Sequence, residues 1–356
     1  MKSKIWQRLA IAISVLVVAA CASSFLKYER ADQLKSNDEF SKAVKIEEVK
    51  EAAPASTGVS VGDTAIANPS AGVNGKKNQN KKIVTSVSTK KSKSKTKVEQ
   101  KSELALQRLP DIEDAEGFLP GSRRPITDPF RIGETLTYDV HYFKVTAGEM
   151  KMKVNPLVAV NGNKSYHFSI DIKSSSLFSS FYRVDDQAEV FLDYADLIPR
   201  VFNLHVKESG QLREARSYFD FEKNKAFYWE KKVTKKNGEE EKKQEWDILP
   251  YSQSVFSAIF YMRLFQWKSD KEYAFRVSDD KENLVFKGKA IRREKLSTEV
   301  GDFDTVVIKP EFTLQGTFKP IGDIFIWLSD DDRKLILRIE SSIKIGTLVA
   351  EVTKIE

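Results

Sequence analysis

From Phe130 onward, apolar and polar residues alternate along the chain. Leu136, Tyr138, Val140 and Tyr142 are interleaved with Thr137, Asp139 and His141, and Met150, Met152 and Val154 with Lys151 and Lys153. Tyr166, Phe168, Ile170 and Ile172 alternate with His167, Ser169 and Asp171, and Phe202, Leu204 and Val206 repeat the rhythm. Successive side chains of a strand point to opposite faces, so a period of two predicts strands with one buried and one wet face. The same reasoning predicts strands at 188–194, 213–221, 225–234, 273–277, 284–292, 304–312, 324–328, 335–340 and 347–353. Asn161-Gly162 and Asn237-Gly238 place residues tolerant of positive φ where hairpins would turn. Consecutive hairpins give an antiparallel sheet covered on one side.

One stretch departs from the rhythm. Ser254 to Trp267 is apolar almost all round and follows Pro250, with Ser252 or Ser254 available as a cap, which predicts a helix of about four turns. A helix of that kind is buried on most sides. In a chain otherwise made of strands, the economical arrangement is a curved antiparallel sheet, or half-barrel, wrapped around a central helix. The class is thus all-β with one buried helix. About 225 residues suffice to build this core as one domain.

The patterning is missing from 22–127, which read as a disordered linker, leaving 128–356 as the β-rich domain. Short helical propensity at 37–52 and 104–109 is too little to carry a core. Between Ala71 and Lys101 ten lysines face the single acid Glu99, a local charge of +9 that exceeds the +7 of the whole chain. The folded part is therefore acidic, and the pI near 9.1 does not imply a nucleic-acid partner. Like charges without aromatics cannot offset the entropy of ordering. A linker of about 100 residues has a coil dimension of roughly 50–60 Å and would let the domain roam. The lysines read as a solvated spacer, with contact to anionic lipid, lipopolysaccharide or cell wall as the alternative.

Residues 1–21 have the layout of an export signal, with Lys2, Lys4 and Arg8 ahead of an apolar run from Leu9 to Ala20 broken only by Ser14. That run is shorter than the roughly 20 residues a spanning helix needs. Val18-Ala19-Ala20-Cys21 is similar to the lipobox of bacterial lipoproteins, in which the cysteine is acylated and becomes the new N-terminus. Cys21 is the only cysteine, so no internal disulfide competes for it. Ordinary cleavage at the small-x-small triplet Ala20-Cys21-Ala22, releasing a soluble protein, and an uncleaved helix are the alternatives. By resemblance to lipoprotein sorting rules, Ala22 in place of an aspartate implies the outer membrane, with the domain facing the periplasm.

Several stretches, taken in order, resemble one family. Gly133-Glu134-Thr135-Leu136-Thr137-Tyr138, reaching Ala147-Gly148-Glu149, is similar to the opening of the bacterial domain-of-unknown-function family 3108. Asp196-Leu197-Ile198-Pro199, the run Ser257-Ala258-Ile259-Phe260-Tyr261-Met262-Arg263 and Ile326-Trp327-Leu328-Ser329-Asp330-Asp331 extend the likeness over about Phe130 to Ile355. Leu335-Ile336 departs from it, because the family often has a proline before that strand. The resemblance implies an exported, β-rich envelope protein and carries no catalytic residues. The expected architecture is also similar to the half-barrel of periplasmic lipoprotein carriers, a likeness of fold alone.

Candidate chemistry adds little. His141, His167 and His205 fall on polar strand faces without metal-ligand spacing, and Asp330-Asp331-Asp332 reads as an acidic turn, so no metal or other cofactor is expected. No nucleophile elbow or phosphate-cradling loop is present in the sequence, and no enzyme activity is expected. Arg263 is a charge in an apolar helix, where it would orient an anionic head group at the end of a cavity, snorkel, or pair with a structural carboxylate. Phe256, Phe260, Phe265 and Trp267 would line a lipid pocket or serve as plain core. The expectation is a membrane-tethered envelope lipoprotein that binds a hydrophobic ligand or lipidated client between sheet and helix. The alternative is a scaffold that docks an envelope partner protein through the β domain.

Overall fold

The structure, a computed structural model, describes residues 34–49, 109–143, 145–314, 317–319, 323–342 and 346–356. Cys21, the export signal and the lysine-rich stretch lie outside the described residues. The first described elements are a short helix α1 (Asp38–Ala43) and strand β1 (Ile46–Glu48). Then come β2 (Thr135–Tyr142), β3 (Val145–Val160), β4 (Asn163–Ser174), the single turn α2 (Ser176–Ser179), β5 (Asp185–Asp193), β6 (Pro199–Lys207), β7 (Gln211–Asp220), β8 (Lys225–Thr234) and β9 (Gly238–Asp247). Helix α3 (Val255–Tyr261) leads into β10 (Glu272–Asp279), β11 (Glu282–Thr298), β12 (Gly301–Leu314), β13 (Thr317–Lys319), β14 (Ile324–Ser329), β15 (Ile336–Ser342) and β16 (Thr347–Ile355).

The ladders form one antiparallel sheet in the order β10-β11-β12-β14-β15-β16-β2-β3-β4-β5-β6-β7-β8-β9, with β1 added to β3 and β13 to β12. Two meanders are joined where the C-terminal β16 pairs with β2. The sheet is not closed into a barrel, since β9 and β10 remain its two edges. Side chains bridge the seam between them. Trp246 Nε1 donates to Ser278 Oγ at 2.9 Å, Lys242 reaches Asp280 at 3.2 Å, and Asn283 Nδ2 donates to the Asp247 carbonyl at 3.0 Å.

Two positions demand particular residues for different local reasons. Asn161 and Gly162 both take positive φ, 48° and 80°, and make the tight turn between β3 and β4. At Gly148 a Cβ would stand 2.3 Å from the Lys173 carbonyl oxygen, so only glycine lets β3 and β4 approach there.

Helix α3 lies inside the sheet's concave face. Phe260 stacks on Phe168 of β4 at 4.2 Å, Phe256 on Phe202 of β6 at 4.4 Å, and Tyr261 meets Phe275 of β10 edge-on at 5.1 Å. Ser254 caps it. Its Oγ accepts from Ser257 N at 3.0 Å, while Ser257 Oγ accepts from Ser254 N at 2.8 Å. The four-turn helix expected through Trp267 is shorter, ending after Tyr261 in a 3₁₀ turn at Met262–Leu264. The Met262 carbonyl, which a continued helix would offer to Gln266 N–H, accepts instead from Trp267 Nε1 at 3.0 Å. Phe265 is extended and packs flat on Phe275 at 5.8 Å, and Trp267 packs on Tyr273 at 4.8 Å.

Two stretches expected in the linker are folded onto the domain. On the outer face of the sheet, Phe40 and Val44 cover Val158, Val160, Phe191, Val201 and Trp229. Asn161 holds this segment by accepting from Lys45 N at 2.7 Å and donating to the Ala43 carbonyl at 3.0 Å. Residues 109–130 form a strap across the end of the sheet where β2 begins, here called the base. Arg123 donates to the Asp196 carbonyl at 2.6 Å and Arg124 to the Tyr194 carbonyl at 2.8 Å, and Phe118 inserts against Phe265 at 5.8 Å. The apolar groups that secure both stretches are too sparse in sequence to signal a core, but they complete one that other elements have started.

Candidate functional site

The opposite end of the sheet, the mouth, carries an apolar cleft. Its floor comes from inward-facing residues of neighbouring strands: Ile170 and Ile172 of β4, Ala188 of β5, Phe202 and Leu204 of β6, and Phe219 of β7. Phe256 and Ser254 close one side from α3, while Trp246 of β9 and Asp279 of β10 bring the two sheet edges to its border. The cleft therefore lies beside the seam held by side chains and not by a backbone ladder. Its free volume is about 50 Å3. A usual ligand pocket has roughly 300 Å3 or more, so the cleft as it stands is a start of a pocket and must widen to take a lipid chain.

Ionisable groups stand in the same inward phase as the apolar floor. Asp186 is two positions before Ala188, and Arg213 two before Ala215. Burial, reinforced by the nearby Glu208, pushes the Asp186 carboxyl up to about 8. Burial likewise raises Glu208. Asp186 accepts from Lys207 N at 3.0 Å, and Glu208 Oε2 accepts from Tyr182 Oη at 2.6 Å and Gln211 Nε2 at 2.7 Å. Arg213 is buried, with Nε donating to Glu230 Oε2 at 2.5 Å and Nη2 to Tyr228 Oη at 2.8 Å. The Arg213 charge is thus matched by Glu230. Burial thus favours a protonated Asp186 carboxyl, hydrogen-bonded to Glu208.

Of the side chains expected at a ligand site, Phe256 lines the cleft and Phe260, Arg263 and Trp267 do not. Arg263 points toward the base. It grips Glu134 with Nη1 and Nη2 at 2.7 and 3.2 Å, and Nη2 also donates to the Pro129 and Arg333 carbonyls at 3.3 and 3.0 Å. Arg333 adds a third bond to Glu134 at 2.7 Å. Both Arg263 and Glu134 are 2 % exposed, so this arginine ties the helix end to β2 and to the β14–β15 turn and does not orient a head group at the mouth. The pairing with a carboxylate, one of three readings open in the sequence, is the one found.

The remaining candidates are also placed. His141, His167 and His205 lie on the outer face, where His167 Nε2 meets Glu189 at 3.0 Å and His205 contacts Glu214. Asp331 organises the acidic turn by accepting from Arg333 N and Lys334 N, both at 3.0 Å. Among the described residues, no group of three or more His, Cys, Asp or Glu side chains is placed to hold a metal ion. Asp186, Arg213, Tyr228 and Trp246 escaped the sequence reading. The signal for the first two was available, as a charge falling in phase with the buried face of a strand.

Comparison with known proteins gives structural likeness at low identity. A β-barrel-like protein of domain-of-unknown-function family 1849 from Brucella abortus is 12 % identical, with a TM-score of 0.41 over 63 % of this chain and 97 % of that one. A candidate lipoprotein from Parabacteroides distasonis is 11 % identical, with a TM-score of 0.30 over 65 % and 99 % of the two chains. A candidate exported protein with a YmcC-like fold from Bacteroides fragilis is 8 % identical, with a TM-score of 0.30 over 65 % and 98 %. No curated protein matches the sequence. The profile of DUF3108, described as a protein of unknown function, matches residues 137–353, from the second strand of the sheet to the last, and the chain belongs to that family.

Proposed function

We propose that this protein is a lipid-anchored envelope protein that binds an apolar group, such as the acyl chain of a lipid or lipidated client, in the mouth cleft. The observation that carries the reading is the coincidence of three features in one place: an apolar floor, buried carboxyls with raised affinity for protons, and an unclosed seam in the sheet. The seam supplies the means of widening. Separating β9 from β10 breaks side-chain bonds worth about 1 kcal/mol each and leaves every strand ladder intact. Asp186, which also lines the cleft, then offers a polar group to the ester or amide at the head of the chain. In this reading Cys21 is the anchor, and the signal-like N-terminus with Ala22 supports a location at the outer membrane, facing the periplasm.

The test is uptake of cis-parinaric acid by the full chain, read by its fluorescence, beside native mass spectrometry for a co-purifying lipid. Saturable uptake is expected in the parent, with affinity at least tenfold lower in Ala188→Phe, which fills the cleft from β5. Absence of uptake and of bound lipid would sink the proposal. The reading left would then be a scaffold that docks an envelope partner, favoured by the apolar side chains exposed around the mouth.

A further inference from the structure

The domain has two ends, and both expose apolar side chains. At the base Leu109, Leu119, Ile126 and Ile132 are 47–66 % exposed along the strap and the chain after it. At the mouth Phe143 and Val145 form the tip between β2 and β3, while Leu177 in α2 and Phe181 just after it link β4 to β5. Phe143, Leu177 and Phe181 are 62, 60 and 77 % exposed. Ser175 N and Oγ, donating to the Ala147 and Thr146 carbonyls at 2.8 and 3.1 Å, hold this turn beside the β2–β3 tip. Exposure alone does not say which end meets a partner.

The path of the N-terminal segment decides between them. Leu34 packs on Leu212, near the start of β7, and Val233, near the end of β8. Arg216 Nη2 donates to the Lys35 carbonyl at 2.8 Å. From there the chain runs along the outer face away from the mouth, until β1 pairs with Val158, Ala159 and Val160 at the far end of β3. The chain thus joins the domain at the mouth. Only twelve residues, 22–33, separate Cys21 from Leu34. Even drawn straight they reach at most about 45 Å. The lysine-rich stretch lies later in the sequence, between described residues 49 and 109 of the domain, and not between Cys21 and Leu34.

We infer that the mouth faces the membrane carrying the anchor, with Phe143, Val145, Leu177 and Phe181 inserted into its lipid surface. The inference rests on the lipid-anchored reading of Cys21. It makes the cleft open toward the bilayer, so that an apolar chain passes between lipid and protein without crossing water. Turning the domain over to present the base would require the twelve-residue lead to be drawn out nearly straight.

The experiment reconstitutes the full chain, purified from membranes, into vesicles of phosphatidylethanolamine and phosphatidylglycerol with dibrominated acyl chains, which quench nearby tryptophan. Phe181→Trp reports on the mouth and Ile126→Trp on the base, each as the difference from the parent. Quenching at least twofold greater for Phe181→Trp is the expected result. Equal quenching, none at either site, or stronger quenching of Ile126→Trp would overturn the orientation. The mass of the N-terminal peptide is read from the same preparation. An unmodified Cys21 would overturn the anchor itself, a failure distinguishable from a misplaced rim. Circular dichroism of both variants confirms that each is folded.

Discussion

The base and the mouth are the two ends of one sheet, and both hold a buried arginine–carboxylate pair, but only the mouth also sets two carboxyls against each other. At the base Arg263 meets Glu134 and Arg123 meets Glu113 at 3.0 Å, each pair of opposite sign and almost wholly buried. Tyr261 Oη joins the second pair by donating to Glu113 Oε2 at 3.0 Å. At the mouth two carboxyls, Asp186 and Glu208, face each other in one partly buried site, and burial raises the affinity of both for protons. Opposite charges with their hydrogen bonds satisfied lock elements together, whereas like charges leave strain that a ligand or a proton can relieve. One end is closed by a strap and the other is left open, and the electrostatics follow the same division.

The largest expected effect breaks the locked end. Arg263→Met leaves Glu134 buried with only the half-exposed Arg333 as partner, and should cost about 3 kcal/mol by urea denaturation. Adding Glu134→Leu should recover most of that loss. A double variant no more stable than Arg263→Met would refute the view that the isolated carboxylate is the source of the cost.

A smaller effect of opposite sign is expected at the mouth. A folded-state value near 8, against about 4 in the unfolded chain, means that Asp186 contributes stability fully only below about pH 4. That contribution declines as pH rises toward 8 and is lost above it. Asp186→Asn keeps an oxygen for Lys207 N and removes the titration. Relative to the parent, the variant should gain stability steadily as pH rises from 4 to 9, with little difference at pH 4. Denaturation midpoints at the two pH values check this, and a difference independent of pH would contradict it.

The smallest change sharpens the role of the seam. Trp246→Phe deletes the bond to Ser278 and should cost about 1 kcal/mol of stability while raising the affinity for cis-parinaric acid. Unchanged or weaker uptake would mean that the β9–β10 gap does not govern access to the cleft.

Much of the sheet was legible because β2, β4, β6 and β8 bury one face, and burial of one face writes a period of two into the residues. Strand β9 was not legible. Its residues Gly238 to Glu245 are charged or polar, and Trp246 is its one buried side chain, as suits an edge strand exposed to water. The helix was recognised but overextended, because Phe265 and Trp267 are as apolar as the residues before them. Periodicity cannot tell whether such residues are buried by helix packing or by an extended chain lying on Tyr273 and Phe275.

The site followed the same rule. Phe256 was found because it is apolar in an apolar segment, and Arg263 because it is charged in one. Which end of the domain each faces depends on strands more than a hundred residues away in sequence, as the contact between Arg263 and Glu134 illustrates.

The sequence by itself determined most of the strands, the presence of a buried helix, the family and the signal-like N-terminus, because these are written in local periodicity and short motifs. Tertiary structure alone decided that Arg263 is a tie and Asp186 a mouth residue, that the sheet stays open beside Trp246, and that residues 34–49 and 109–127 belong to the domain. Those outcomes depend on which distant side chains share a buried space, and burial is a property of the assembled chain that no single segment encodes.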